Sequence, residues 1–195
     1  LDTRGIRVLA EAIDLRSFYA YADQNTRLLD DPVTHFSRLG LEFPKALLGY
    51  RPPTSSLDSR TKLAPTSIRQ GDIIPDYLDA TAAHICPLDY LTHTLLPAVL
   101  RQAGFTITTL DPSPGYMNPT YWDNIPALIS GLTAFLPAEE EMRALFHGRS
   151  ANLWEMAEAL SDYGCEYIVI KRGEGGQLLY DSATHSRWEI PAYAA

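Results

Sequence analysis

The stretch YIVIKRGEGGQLLYD, residues 167–181, decides the fold. An apolar run from Tyr167 ends in Lys171-Arg172 and a glycine-rich turn, and a second apolar run opens directly after it. The pattern reads strand, turn, strand. A dinucleotide fingerprint of the form G-x-G-x-x-G must open a helix, so this turn does not match one. A Walker A loop, G-x-x-x-x-G-K-[ST], is absent from the chain.

Toward the N-terminus the rhythm is that of βαβ units. Leu153, Met156, Ala157 and Leu160 recur at helical spacing, with Glu155, Glu158 and Asp162 on other faces. Asn152 is placed to cap that helix and Gly164 to stop it. Strands are expected at Ala82 to Cys86, Thr106 to Leu110, Ala134 to Leu136 and Tyr167 to Ile170. Helices are expected between them at about Asp89 to Gln102, Thr120 to Ile129, Glu139 to Phe146 and Leu153 to Tyr163. Strands joined through helices are parallel and cross over right-handedly, which predicts an open α/β sheet covered on both faces. Ligands on such sheets sit beyond the carboxyl ends of the strands, where Asp111 and Lys171 fall. Toward the C-terminus QLLYD, the turn SATHS and RWEIPAY predict a β-hairpin at the sheet edge.

Before residue 80 the pattern changes. Pro32, Pro44, Pro52 and Pro53 interrupt any long element, and Thr54 to Ser59 (TSSLDS) reads as a linker. The expected organisation is an appended segment over residues 1–78 and an α/β core over 79–195.

Composition sets the class. The 195 residues are 46% hydrophobic and 21% charged, enough for one domain with a core. A net charge of -8 argues against sequence-independent binding to nucleic acid or an anionic membrane, which takes clustered Lys and Arg. Cys86 and Cys165 lie in apolar sequence and are expected to be reduced and buried, which fits a cytoplasmic protein. No run is long enough for a membrane helix.

Three segments carry candidate chemistry, each with a plain structural alternative. Lys171-Arg172-Gly173-Glu174-Gly175-Gly176 either offers backbone N–H groups to a ligand or is a hairpin turn needing positive φ. Glu139-Glu140-Glu141 either initiates a helix through its dipole or points a carboxylate at the crevice, where it could hold Mg²⁺ through water. Asp111 before Pro112 either faces the crevice or forms the turn. His35, His84, His93, His147 and His185 lack metal-ligand spacing and read as structural or solvated.

In their order and spacing, TLDPSPG, FLPAEEEM, the helix from Leu153, VIKRGEGG, QLLYD and WEIPAY resemble the PfkB (ribokinase-like) family of carbohydrate kinases. The resemblance covers about Asp79 to Ala195 and is loose before that. It implies a ribokinase-like three-layer α/β/α fold with a mostly parallel sheet, a β-hairpin at the C-terminal edge, and a small β lid from the N-terminal part. Ser17 to Arg27 (SFYAYADQNTR) is the candidate lid, a possible dimer surface. The implied activity is in-line phosphoryl transfer from ATP, with Mg²⁺, to a hydroxyl of a sugar or nucleoside. By position, Lys171, Gly173 and Gly176 match the nucleotide-binding turn. Glu141 matches the metal-side Glu of N-x-x-E, with Ala138 in place of the Asn.

The family's early Gly-Gly segment and its D-T-x-G-A-G-D segment, source of the anion hole and the catalytic Asp, have no counterpart here. The resemblance therefore implies a central fragment with no catalytic residue of its own and no turnover alone, leaving apolar residues such as Tyr167 to Ile170 exposed. The competing reading is a kinase-like module that holds nucleotide or a partner without phosphotransfer, supported by Ala138.

Overall fold

The computed structural model describes residues 2–10, 12–14, 16–21, 27–28, 30–51 and 58–193. Residues 22–26 of the expected lid and 54–57 of the expected linker lie outside the described residues. The chain divides into two compact units, residues 7–56 and residues 57–195 with the first six.

In the smaller unit β1 (Ala20–Tyr21) pairs antiparallel with β2 (Arg27–Leu28). Helix α1 (Pro32–Arg38) begins where the Asp31 carboxylate accepts the Thr34 N–H at 3.1 Å and Pro32 needs no hydrogen-bond acceptor. The buried Phe18 ring meets His35, Phe36 and Tyr50 with centroids 5.7, 6.1 and 6.4 Å away. This aromatic cluster gives the unit its own small core.

The larger unit holds the sheet. Its elements are β3 (Ala82–Ile85), α2 (Tyr90–Gln102), β4 (Ile107–Leu110), a 3-10 helix (Pro119–Asn124) running into α3 (Ile125–Ile129), β5 (Ala134–Phe135), α4 (Glu139–Leu145), α5 (Leu153–Ser161), β6 (Tyr167–Lys171), β7 (Gln177–Asp181) and β8 (Ser186–Ile190). Strand order is β3-β4-β5-β6-β7-β8. The first four strands are parallel, and β7 and β8 are antiparallel additions. The α/β fold with a mostly parallel sheet and a C-terminal hairpin is the one expected from sequence.

Local chemistry explains the boundaries. Asn152 caps α5 by accepting the Trp154 N–H at 2.9 Å, and Gly164 takes φ 92° just past its end. The helix expected over Thr120 to Ile129 is split, because Pro126 lacks the N–H needed to run one ladder through both halves.

Consecutive parallel strands laid side by side in chain order, with right-handed crossovers, put the connecting helices on one face. Burial agrees: Leu110, Phe135, Ile168 and Ile170 are at 0% exposure beneath Met142, Leu145 and Leu160. The alternate residues face the other way and stay open, among them Ile107 and Trp188, each 46% exposed. Among the described residues the covering helices are found on the first face, so one helical layer of the expected three-layer arrangement is seen there and the other is not. The expectation that Tyr167 to Ile170 lies exposed holds for Tyr167 alone. Ile168 and Ile170 are buried because alternate residues of a strand point to opposite faces.

Residues 58–78 belong to the same compact unit as the sheet. The hydrogen bonds that hold them there include two at the start of α2. The Ser67 hydroxyl donates to the Asp89 carboxylate at 2.7 Å, and the Ile68 N–H donates to Thr92 Oγ1 at 3.2 Å. Cys165 is buried as expected, and burial pushes its thiol up to about 12. Cys86 departs from expectation. It lies one residue past β3, where the chain leaves the sheet, and its side chain is exposed.

Candidate functional site

Because β3 to β6 are parallel, their carboxyl ends share one edge. The backbone continues the pairing beyond the strands. Asp111 N–H donates to Ile85 O, Leu136 N–H to Leu110 O and Lys171 N–H to Pro137 O, each at 2.9 Å. An isolated parallel bridge joins Ala138 to Lys171. These bonds bring Asp111, Ala138 and Lys171 to one rim, and across it Lys171 Nζ meets Asp111 Oδ2 at 2.5 Å.

Glu141 stands at the same rim. Its carboxylate accepts the Ala138 N–H at 2.8 Å, one half of a capping box whose other half Ala138 cannot supply for want of a side-chain oxygen. Of the acidic triplet, Glu139 is structural. It accepts from Arg143 one helical turn on at 2.6 Å and lies 3.4 Å from the Arg172 guanidinium. Arg172 also reaches Glu189 of β8 at 2.7 Å, which ties the glycine turn to α4 and to the hairpin.

The two glycines of the turn serve different needs. Gly176 takes φ 77°, ψ -134°, a region open only to glycine, and a Cβ there would strike the backbone of Ile190, Pro191 and Ala192. Its requirement is internal to the fold. Gly173 also has positive φ, 54°, yet a Cβ there would meet nothing within 4 Å. It faces open space next to Lys171.

Sequence reading missed the layer beneath the rim. His93, in the first turn of α2, is fully buried. Its Nδ1 lies 2.6 Å from the Tyr116 hydroxyl, and its Nε2 lies within 3.1 Å of both the Leu88 N–H and the Cys86 carbonyl. The ring therefore joins the turn after β3 to the turn after Asp111. Burial pushes the His93 pKa down, and burial together with the charge of Glu141 holds the Tyr116 phenol far up, so both are neutral. Asp58, in a segment read as a linker, accepts the Tyr90 N–H at 2.9 Å. Burial first, and then the neighbouring Asp89 charge, raise its carboxyl.

The His93 shift has a measurable consequence. An unfolded His takes up a proton near pH 6.5 while the buried ring still resists it, so the unfolded chain binds more protons just below that value. Stability is complete above about pH 6.5 and falls as pH drops toward the lowered folded value. Urea midpoints taken from pH 7.5 to 5.5 should decline, and the decline should flatten in His93→Gln, which does not titrate. An equal slope in both proteins would assign it to other groups.

The residues fit a polyphosphate with its metal. Lys171 supplies a cation, Gly173 leaves space for close approach, and Glu141 supplies a carboxylate. Among the described residues no three acidic, His or Cys side chains form a metal cluster. Mg²⁺ at phosphate sites takes only one or two carboxylates, the phosphates and several waters giving the rest.

No family model and no curated protein matches the chain. Solved structures do. A pyrophosphate-dependent kinase in the ribokinase family, in a sulfate complex, matches at 17% identity and TM-score 0.50 over 66% of this chain and 45% of its own. A candidate ribokinase II of E. coli in its apo form matches at 16% identity and TM-score 0.50, over 68% and 45%. Ribokinase of Giardia lamblia matches at 15% identity and TM-score 0.49, over 61% and 37%. The likeness to the two structures at TM-score 0.50 gives the chain the ribokinase-like fold, and the chain spans less than half the length of each of the three.

Proposed function

We propose that the chain carries the phosphate side of an ATP-dependent kinase that phosphorylates a hydroxyl of a sugar or nucleoside, in the cytoplasm. The observation carrying this is the juxtaposition, on the carboxyl edge of a ribokinase-like sheet, of Lys171, the open turn at Gly173 and Glu141. Carboxyl edges of parallel sheets are where such folds bind ligands.

In this reading Lys171 neutralises phosphate oxygens as negative charge shifts toward the leaving group, and the turn at Gly173 approaches them without a Cβ in the way. The Gly175 and Gly176 N–H groups stay bonded to Arg172 O and Gly173 O inside the turn. Glu141 would hold Mg²⁺ through water, and the ion, when bound, would supply neutralisation of phosphate charge. Arg172, tied to Glu139 and Glu189, keeps the turn in register with α4. The acids named at the rim and beneath it already have partners: Asp111 pairs with Lys171, Glu141 caps α4, and beneath them Asp58 accepts the Tyr90 N–H. None is assigned as the base.

Thermal unfolding of the 195-residue chain, with and without MgATP, tests the reading. MgATP should raise the midpoint, because a ligand bound only by the folded state stabilises it by mass action. The same sample, given a panel of pentoses, hexoses and nucleosides, should show no ATP-dependent phosphorylation. An unmoved midpoint at saturating MgATP would remove the nucleotide assignment, and measurable turnover would place the base within these residues.

A further inference from the structure

Strand β8 is an open edge, and its residues are complementary to themselves. The sheet ends at β8, and no strand pairs with its outer side among the described residues. Arg187, Trp188, Glu189 and Ile190 are all exposed, with Trp188 at 46% and Ile190 at 40%. Edge strands are usually blunted by a proline, a lysine or a bulge. This one has no proline, lysine or bulge within its span, and its two charges, Arg187 and Glu189, are opposite in sign, so they discourage pairing only in registers that set like charges together.

Two hydrogen bonds fix which backbone groups point outward. Between β6 and β7, Arg172 N–H donates to Gly176 O at 2.8 Å and Ser182 N–H donates to Glu166 O at 2.9 Å. Hydrogen-bonded pairs alternate along an antiparallel ladder, so Leu178 and Tyr180 also address β6 while Gln177, Leu179 and Asp181 address β8. Their partners in the register are Ile190, Trp188 and Ser186. The N–H and C=O groups of Arg187 and Glu189 are therefore the ones directed at solvent along the free edge.

We propose that β8 pairs antiparallel with β8 of a second copy of this chain, about a two-fold axis at Trp188. That axis sets Arg187 opposite Glu189 of the copy, and Glu189 opposite its Arg187. Both are hydrogen-bonding positions, so the pairing makes four backbone hydrogen bonds and two opposite-charge pairs. Trp188 meets Trp188 at the central, closer-spaced position, on the open face of the sheet. Charge selects this register. An axis at Arg187 would oppose two arginines, one at Glu189 would oppose two glutamates, and an axis between residues would mismatch the outward groups. The present contacts of these side chains, Arg187 with Glu158 at 3.3 Å and Glu189 with Arg172 at 2.7 Å, are exposed pairs that can be shared. The proposal is independent of phosphoryl transfer.

Sedimentation equilibrium of the 195-residue chain is the test. Short edges give weak association, so the mass should climb with concentration from 21.7 kDa toward a dimer across roughly the 10–500 μM range. Arg187→Glu alone and Glu189→Arg alone should hold the chain monomeric. The two together restore complementarity and should restore the dimer. A chain that stays monomeric, single variants that associate like the parent, or a double variant that fails to recover would each overturn the proposal. Should a charge variant misfold, cross-linking decides. In a Cys86→Ser background Trp188→Cys should oxidise to a disulfide-linked dimer and Arg187→Cys should not, and the reverse pattern would overturn the register.

Discussion

Gly176→Val is expected to cost the folded protein roughly 2–6 kcal/mol, the sum of a strained backbone and an overpacked contact. The valine Cβ would have to enter the backbone of Ile190, Pro191 and Ala192, which cannot swing aside as a side chain can. Domains of this size have about 5–15 kcal/mol to lose, so the β6–β8 hairpin should open at room temperature or close to it. Urea denaturation compares the variant with Gly173→Ala, whose new methyl meets open space and whose cost is limited to positive φ, about 1 kcal/mol. Equal costs at the two positions would refute the distinction between them.

Lys171→Gln is expected to weaken MgATP binding about 10- to 100-fold, the equivalent of one charge-assisted hydrogen bond of about 1.5–3 kcal/mol. Its effect on stability should be far smaller. The Lys171 side chain is 36% exposed and that of Asp111 21%, so water and salt screen their bond, and its loss should cost under about 1 kcal/mol. Calorimetric titration with MgATP, read beside urea midpoints, separates the two quantities. A Kd within twofold of the parent's would show that the ammonium serves only Asp111.

How much of this was legible follows from the range of each interaction. Strands and helices of residues 82–190 were readable because each carries its own periodicity and caps, as at Asn152 and Gly164. The rim was partly readable, since a polar residue directly after an apolar run marks a strand end, as at Asp111 and Lys171. Their 2.5 Å contact was not, because it depends on the order in which strands are laid down. Asp58 and His93 left no local signal. Asp58 lies in a Ser- and Pro-rich stretch that looks like a linker, and its carboxylate is held by the start of a helix far along the chain. His93 falls inside an ordinary amphipathic helix, and only packing shows that three backbone and hydroxyl groups close around its ring. Gly173 and Gly176 look alike as letters. They are separated by what a methyl group would meet.

The strand order β3-β4-β5-β6-β7-β8 is also the order of synthesis. Every strand finds its partner in the segment made just before it, so loop-closure entropy stays small at each step and the sheet can grow by accretion as the chain leaves the ribosome. The growing edge advances with each addition. Among the described strands that edge stands at β8, whose outer side pairs with none of them.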